Sequence, residues 1–376
     1  MSTRFRLRRG AGAALSIALA AGAVACRSPA AAAQVAIGDL GRYNFTGGGS
    51  LDPGLVAAEL SGLAWIEGDR YVAVGDDQAT LYFLDIEVDF RSGRVRSVSF
   101  APPVPLRDSA GQVLSGRRRA DREDVAYDRR RGTVWIADER DAGDPSRPSL
   151  VEVDPATGGE IAHLTPDEGG PLAVYAAIRA NYGFEALTRS EDGESMWTAN
   201  EEALEIDGAL ASPARGSIVR LQELDDDLEP ERQVAYVTDP VDHAISSPDA
   251  AVGEDRSGIS ALVALDDDRL LVLERALAAD AKGMAGFRIR IYLVDPTGAT
   301  DVSEPLYLSG LAGRSDWKPA SKTLLWERRF GLPVSNFEGM ALGPRLARGS
   351  RSLLLIADNG GGTWQSIYAL ELRGAP

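Results

Sequence analysis

Five segments of this 376-residue chain repeat one pattern at a nearly constant internal spacing. Each is a short apolar run with a polar residue near its start, a polar turn, and a second apolar run that ends in acids or Asn. The openings are Leu60-Ser61-Gly62-Leu63-Ala64, Arg122-Glu123-Asp124-Val125-Ala126, Phe184-Glu185-Ala186-Leu187-Thr188, Ile259-Ser260-Ala261-Leu262-Val263 and Phe337-Glu338-Gly339-Met340-Ala341. The closings are Asp76-Asp77, Asp138-Glu139, Asn200-Glu201, Glu274-Arg275 and Asp358-Asn359. From polar opening to closing residue the offsets are 15, 15, 15, 14 and 20, and residues 344–351 account for the long one. Successive openings lie 62, 62, 75 and 78 residues apart.

Turn chemistry such as Glu67-Gly68-Asp69 and Glu191-Asp192-Gly193 separates the paired runs, so each unit reads as a β-hairpin. In an antiparallel hairpin the start of the first strand lies beside the end of the second. Every repeat therefore carries its polar ends to the same edge. Third strands follow at residues 81–85, 150–154, 218–221, 289–295 and 367–370, with fainter fourth strands at 233–238 and 323–326. Repeated antiparallel sheets with little helix predict an all-β fold, a β-propeller. The spacing exceeds the roughly 40–50 residues of familiar propeller repeats. Six blades are expected on that count, with five or seven as alternatives. Residues 35–45 are expected to complete the last sheet, and residues 170–180 form the best helical stretch.

Residues 1–33 differ from the rest: Arg4, Arg6, Arg8 and Arg9 precede an uncharged apolar run over residues 11–25. That run is shorter than the about 20 residues of a membrane span and reads as an export signal. Cleavage after Ala33 leaves a single domain over residues 34–376. A degraded lipobox ending at Cys26 is the competing site and would leave a lipid anchor there. Either way the expected location is periplasmic or secreted, with no transmembrane segment. Cys26 is the single cysteine, so the mature chain has neither disulfide nor thiolate chemistry. The net charge of −16 becomes −21 once the five leader arginines are removed, which disfavours nucleic acid as a partner. A monomer is expected.

His163 and His243 are the two histidines, both near turns and read as surface-loop residues, and no Gly-x-Ser-x-Gly elbow occurs. A Ser-His-Asp esterase and a histidine-rich zinc site are thereby disfavoured. The chemistry left is carboxylate, amide and guanidinium. If the strand ends converge on a propeller axis, Glu123, Glu185 and Glu338 meet Asp76, Asp138, Glu201, Glu274 and Asp358 at one mouth. So many acids cannot all stay ionised without cations. Glu123, Asp138, Glu185, Glu338 and Asp358 are the candidate metal ligands, and calcium suits an irregular all-oxygen set. Glu185 and Glu201 are the acid–base candidates. Arg275, like Arg140, follows a closing acid and could clamp an oxyanion. The competing role for the acids is structural, with each Glu capping backbone amides of the next blade. Trp65, Trp135 and Trp197 recur within the repeats and read as blade packing.

Three stretches resemble one family in the same order. They are Asn181-Tyr182-Gly183-Phe184-Glu185-Ala186-Leu187 with Trp197-Thr198-Ala199-Asn200-Glu201, then Leu271-Val272-Leu273-Glu274-Arg275 with Arg288-Ile289-Arg290-Ile291-Tyr292-Leu293-Val294-Asp295, and Asn336-Phe337-Glu338-Gly339-Met340-Ala341-Leu342-Gly343-Pro344 with residues 352–359. Together they resemble the bacterial "esterase-like activity of phytase" family from about residue 61 to 372. Arg122-Glu123-Asp124 departs from the Pro-Glu-Gly usual there. The resemblance implies a propeller hydrolysing a phosphate or other small ester, with calcium. A lactonase-type propeller and a non-enzymatic propeller binding a ligand or protein at the cell envelope are the alternatives.

Overall fold

Strands whose two faces are both covered read as continuous apolar runs rather than alternating ones. Leu270-Leu271-Val272-Leu273 and Leu353-Leu354-Leu355-Ile356 are such runs, and each of these residues is buried. The computed structural model describes residues 34–46, 57, 59–76, 78–114, 121–140, 147–166, 171–241, 256–279, 285–331, 336–360 and 364–375. The leader, Cys26, Asp77 and His243 lie outside the described residues.

In chain order, β1 spans Ala36–Thr46. Blade 1 is β2 (Leu60–Glu67), β3 (Arg70–Gly75), β4 (Gln78–Val88) and β5 (Val95–Phe100), and the short β6 (Val104–Pro105) also pairs with β4. Blade 2 is β7 (Asp121–Asp128), β8 (Thr133–Arg140), β9 (Ser149–Val153) and β10 (Glu160–Leu164). Blade 3 is β11 (Phe184–Arg189), β12 (Met196–Asn200), β13 (Ile218–Leu224) and β14 (Pro230–Val237). Blade 4 is β15 (Arg256–Ala264), β16 (Leu270–Ala279), β17 (Ala285–Asp295) and β18 (Ser321–Gly331). Blade 5 is β19 (Asn336–Arg345), β20 (Arg351–Asp358) and β21 (Trp364–Arg373), with β1 paired antiparallel to β21 as its outer strand. The expected helical stretch is a 3-10 turn at Pro171–Ala177.

The propeller is confirmed, but among the described residues it has five blades, not six. Each signature hairpin is the inner pair of one blade, so the surplus spacing is insertion rather than an extra sheet. The largest insertion joins β17 to β18. Its Val302, Tyr307 and Leu311 pack on Ala235, and the fully buried Arg220–Asp207 pair (Nε to Oδ2, 2.7 Å) anchors it through the Tyr307 and Val302 carbonyls and the Leu311 amide. Ring closure uses the two ends of the described chain, as expected for residues 35–45. The outer strands β5, β10 and β18 are the most exposed and polar, which protects the sheet edges.

Inner strands of neighbouring blades approach closely enough to require small residues. A Cβ on Gly62 would lie 2.6 Å from the Asp124 Cα, and one on Gly339 would lie 2.5 Å from the Ser61 carbonyl oxygen. Asp124 uses its carboxylate as a staple. Oδ1 accepts from its neighbour Val125 N (2.8 Å) and Oδ2 from Leu187 N of blade 3 (2.9 Å). Thr188 repeats the device towards blade 4 by accepting from Ala264 N (3.0 Å).

Candidate functional site

Every inner strand carries a β-bulge, and the bulged residue is the polar residue of the repeat. Pairing skips Ser61, Glu123, Glu185, Ser260 and Glu338 in turn. A bulge leaves one residue out of the ladder and re-aims its side chain. Here it turns Glu123, Glu185 and Glu338 toward one another at a single mouth of the ring. From the second strands come Asp76, Glu139, Glu201, Arg275 and Asp358, and Asp121 joins them from the start of β7.

The residues form two linked groups. Carboxylate oxygens of Glu139, Glu185 and Glu201 lie within 4.8 Å of one another in a buried triad, and those of Asp76, Asp121 and Glu123 do so in a half-buried one. Arg275 neutralises one side of the ring. Its Nη2 lies 2.6 Å from Glu201 Oε1 and 3.5 Å from Glu185 Oε1, and its Nη1 lies 2.7 Å from Glu338 Oε1. Asn336 accepts from Arg275 (3.1 Å) and donates to Glu338 (2.8 Å) and Asp358 (3.3 Å). On the other side, Arg140 pairs with Asp121 and stands 3.8 Å from Glu139, while Ser61 donates to Asp76. Glu123 has no hydrogen bond or ion pair among the described residues; Glu185, Asp76, Glu139 and Asp121 raise its proton affinity, while Arg140 and Arg275 act on it from beyond ion-pair distance. Eight carboxylates thus share the cations Arg275 and Arg140.

Such crowding raises proton affinity. Burial, then Asp121 and Glu201, push Glu139 up to about 8. Burial pushes Glu338 up to about 7 against the pull of Arg275, with Asp358 adding to the rise. Burial, and after it the neighbouring acids, hold Asp76, Glu123 and Glu185 well above the usual carboxylate range. All the converging donors are hard oxygens, the ligand type that calcium takes in irregular sets of six to eight. The triad of Asp76, Asp121 and Glu123 and the triad of Glu139, Glu185 and Glu201 are the sets that would hold such an ion.

Of the residues named from sequence, Asp76, Glu123, Glu185, Glu201, Arg275, Glu338 and Asp358 meet in the ring. Asp138 and Glu274 do not. Asp138 pairs with Arg122 in the ladder and turns to the other face of blade 2, with its Oδ1 3.9 Å from the Arg122 Nε. Glu274 accepts from Tyr236 Oη (2.5 Å), the Asp239 amide (3.0 Å) and Lys322 Nζ (2.8 Å). In both, the following residue is the one that faces the axis, because one step along a strand reverses the face. Glu139 was missed for that reason, and Asp121 because it lies two residues before Glu123, outside the repeated pattern. Aligning the repeats on ladder position, with the bulge counted as one extra residue, brings Asp76, Glu139, Glu201, Arg275 and Asp358 into line.

The capping role expected of the acids is carried mainly by Asp124 and Thr188. Within the ring, Glu139 takes the Gly183 amide at 3.4 Å. His163 lies in β10 rather than in a loop, with Nδ1 3.7 Å from Glu160 Oε1. Trp135 and Trp197 are core residues as expected, whereas Trp65 is half-buried, with Arg129 (4.6 Å) and Arg351 (5.1 Å) over its ring. Two residues on from each bulge, Leu63, Val125, Leu187, Leu262 and Met340 line an axial cavity of about 60 Å³. That is room for about two waters, and Arg129, Arg189 and Glu191 also line it.

Residues 57–361 match the Phytase-like family, described as "Esterase-like activity of phytase". No curated protein matches the chain. Among solved structures, a streptogramin B lyase is 11% identical, with 89% of this chain and 99% of that one covered, at a TM-score of 0.35. The PQQ-bound aldose sugar dehydrogenase from Streptomyces coelicolor is 13% identical, covering 91% and 99%, at 0.39. An alpha-L-arabinanase from Cellvibrio cellulosa, complexed with arabinohexaose, is 14% identical, covering 82% and 89%, at 0.35. At these identities and scores the likeness bears on neither substrate nor reaction. The family match is of another order: it spans most of the chain and contains all five bulged hairpins up to Asp358, and by it the chain belongs to the Phytase-like family.

Proposed function

We propose that the protein is an extracytoplasmic hydrolase of phosphate or other small ester bonds, assisted by a divalent cation, calcium by preference. The observation that carries this reading is the eight-carboxylate ring with its two guanidinium counter-ions. On its Glu123 side Asp76, Asp121, Glu123, Glu139 and Glu185 outnumber the one guanidinium, Arg140. A hard cation there would relieve that repulsion and let an anionic ester approach. When bound, it would polarise the ester oxygen and lower the pKa of bound water. Burial raises the proton affinity of Glu139 and Glu185, so the one of them left off the cation would hand its proton to a leaving oxygen or, once ionised, take one from water. Arg275 is saturated by three carboxylates and one amide oxygen, so its role in this reading is to orient Glu185, Glu201 and Glu338.

The test is metal content and melting temperature with EDTA and then with added calcium, followed by phosphate-ester and carboxylic-ester panels. A cation that binds the folded state at a hundredfold excess over Kd stabilises it by about 2.7 kcal/mol. Bound calcium, a reversible rise in melting temperature, and hydrolysis lost in a folded Glu185→Gln variant are the expected results. Absence of both metal and turnover sinks the reading and favours the envelope-binding propeller. The hydrogen-bonded Asn336, Glu338 and Asp358 also offer the mixed amide and carboxylate set of a lactonase-type site, and turnover of lactones alone would select that reading.

A further inference from the structure

Blade 2 holds a second cavity, on the face of β7 turned away from the ring. Its volume is about 260 Å³, and at roughly 30 Å³ per water it has space for about nine waters. Leu106 and Leu114, from the segment around and after β6, face Ile136 and Val151 of blade 2 across it, so most of the wall is apolar. One long cationic side chain reaches it from the inner strand: Arg122, only 4% exposed. Its Nε stands 3.9 Å from Asp138 Oδ1, beyond hydrogen-bonding distance. Among the described residues the Arg122 guanidinium makes no hydrogen bond.

A guanidinium presents five N–H donors and stays protonated in proteins. Native structures rarely bury polar groups without an acceptor, and an exception points to a ligand or bound water. The other charged groups at this cavity are engaged with near neighbours. His163 faces Glu160, Arg107 donates to the Gly111 carbonyl (3.1 Å), and Asp108 accepts from the Ala110 (3.0 Å) and Gln112 (2.8 Å) amides. Asp138 approaches Arg122 on the Nε side, which leaves the two terminal nitrogens for a guest. Its charge also favours a monoanion over a dianion.

We propose that this cavity binds a small amphipathic monoanion, a carboxylate on the Arg122 fork with a short aliphatic tail against Leu106, Leu114, Ile136 and Val151. A planar fork matches a carboxylate in bidentate fashion, and the apolar wall gains from covering the tail. The site is separate from the carboxylate ring, because the bulge turns the consecutive residues Arg122 and Glu123 to opposite faces. It stands whether or not the ring holds a metal.

The experiment is calorimetric titration of the full chain with hexanoate, inorganic phosphate and hexanol in parallel. Hexanoate is expected to bind at one site, with phosphate and hexanol each at least tenfold weaker. Arg122→Met, which keeps the stem and removes the charge, and Val151→Phe, which fills the cavity, are each expected to weaken hexanoate at least tenfold. Arg122→Met also takes the counter-charge from the buried Asp138, so Val151→Phe, which leaves that pair in place, is the variant that reads binding apart from stability. The proposal is overturned if hexanoate gives no heat and no thermal shift at millimolar concentration. It is equally overturned if phosphate binds as well as hexanoate, or if both variants bind hexanoate like the parent.

Discussion

Replacing Arg275 with Met tests the electrostatics of the ring directly. The side chain is buried among Glu201, Glu185 and Glu338 at 2.6, 3.5 and 2.7 Å, and Met keeps most of its apolar stem. Loss of one guanidinium charge must be balanced, and in a metal-free protein the available route is uptake of one proton by a freed carboxyl. A Glu of ordinary pKa about 4.3 that must be protonated at pH 8 costs about 5 kcal/mol, at 1.36 kcal/mol per pH unit. At pH 5 the same proton costs about 1 kcal/mol. Removing the buried guanidinium also removes its own desolvation cost, so the net loss at pH 8 falls in the 3–5 kcal/mol range seen when buried pairs are broken. A folded unit of about 340 residues has an unfolding entropy near 0.7 kcal/mol/K, which converts that loss to a drop of about 4–7 °C. The assay is thermal unfolding in EDTA at pH 8 and pH 5. The expected drop at pH 5 is only about 1 °C, and calcium at pH 8 is expected to recover part of the larger one. Equal drops at both pH values, or none at pH 8, would show that Arg275 does not compensate the ring.

Glu139 at about 8 and Glu338 at about 7 bind protons in the folded chain that the unfolded chain releases above pH ~4.3, so metal-free stability declines as pH rises from about 4.3 toward 8. Melting curves in EDTA across that window check this, calcium should flatten the decline, and a stability that rises toward pH 8 contradicts it. Asp124→Ala strips acceptors from the buried Val125 and Leu187 amides and should lower stability by about 2–4 kcal/mol. Asp124→Asn keeps one acceptor and should lose less than half as much in urea unfolding, and an Ala variant as stable as the parent would remove the staple. Arg220→Met leaves Asp207 buried without its partner and should cost about 3–5 kcal/mol. Hydrogen exchange should then rise first in the β17–β18 insertion, and exchange rising elsewhere instead would place the anchor in the wrong element.

Much of this architecture was legible in the residues. Runs such as Leu353-Leu354-Leu355-Ile356, bounded by turns, identify strands that are covered on both faces. The recurrence of the hairpin identifies a propeller, and the antiparallel rule places Glu123, Glu185 and Glu338 at one mouth from sequence alone. Blade number was not legible from spacing, because an insertion like the one held by Arg220 and Asp207 adds length without adding a sheet. Counting the signatures themselves, five of them, would have given the right answer.

The choice between adjacent acids was beyond reach of the pattern for a local reason. Asp138 and Glu139, or Glu274 and Arg275, differ by one step, and side chains one step apart point to opposite faces. A bulge in the partner strand shifts the register by that same step, and only the hydrogen-bond ladder shows where it falls. Local sequence thus determined the strands, their turns and the edge to which the polar residues are carried, because propensity and alternation act over a few residues. Tertiary structure alone decided which acids share the axis, which of them Arg275 neutralises and which turn away toward Arg122 or Lys322. The ring contacts join blades 60 or more residues apart in the chain, and the turns toward Arg122 and Lys322 follow from the ladder within blades 2 and 4, so pairing register and burial, not composition, set the distances.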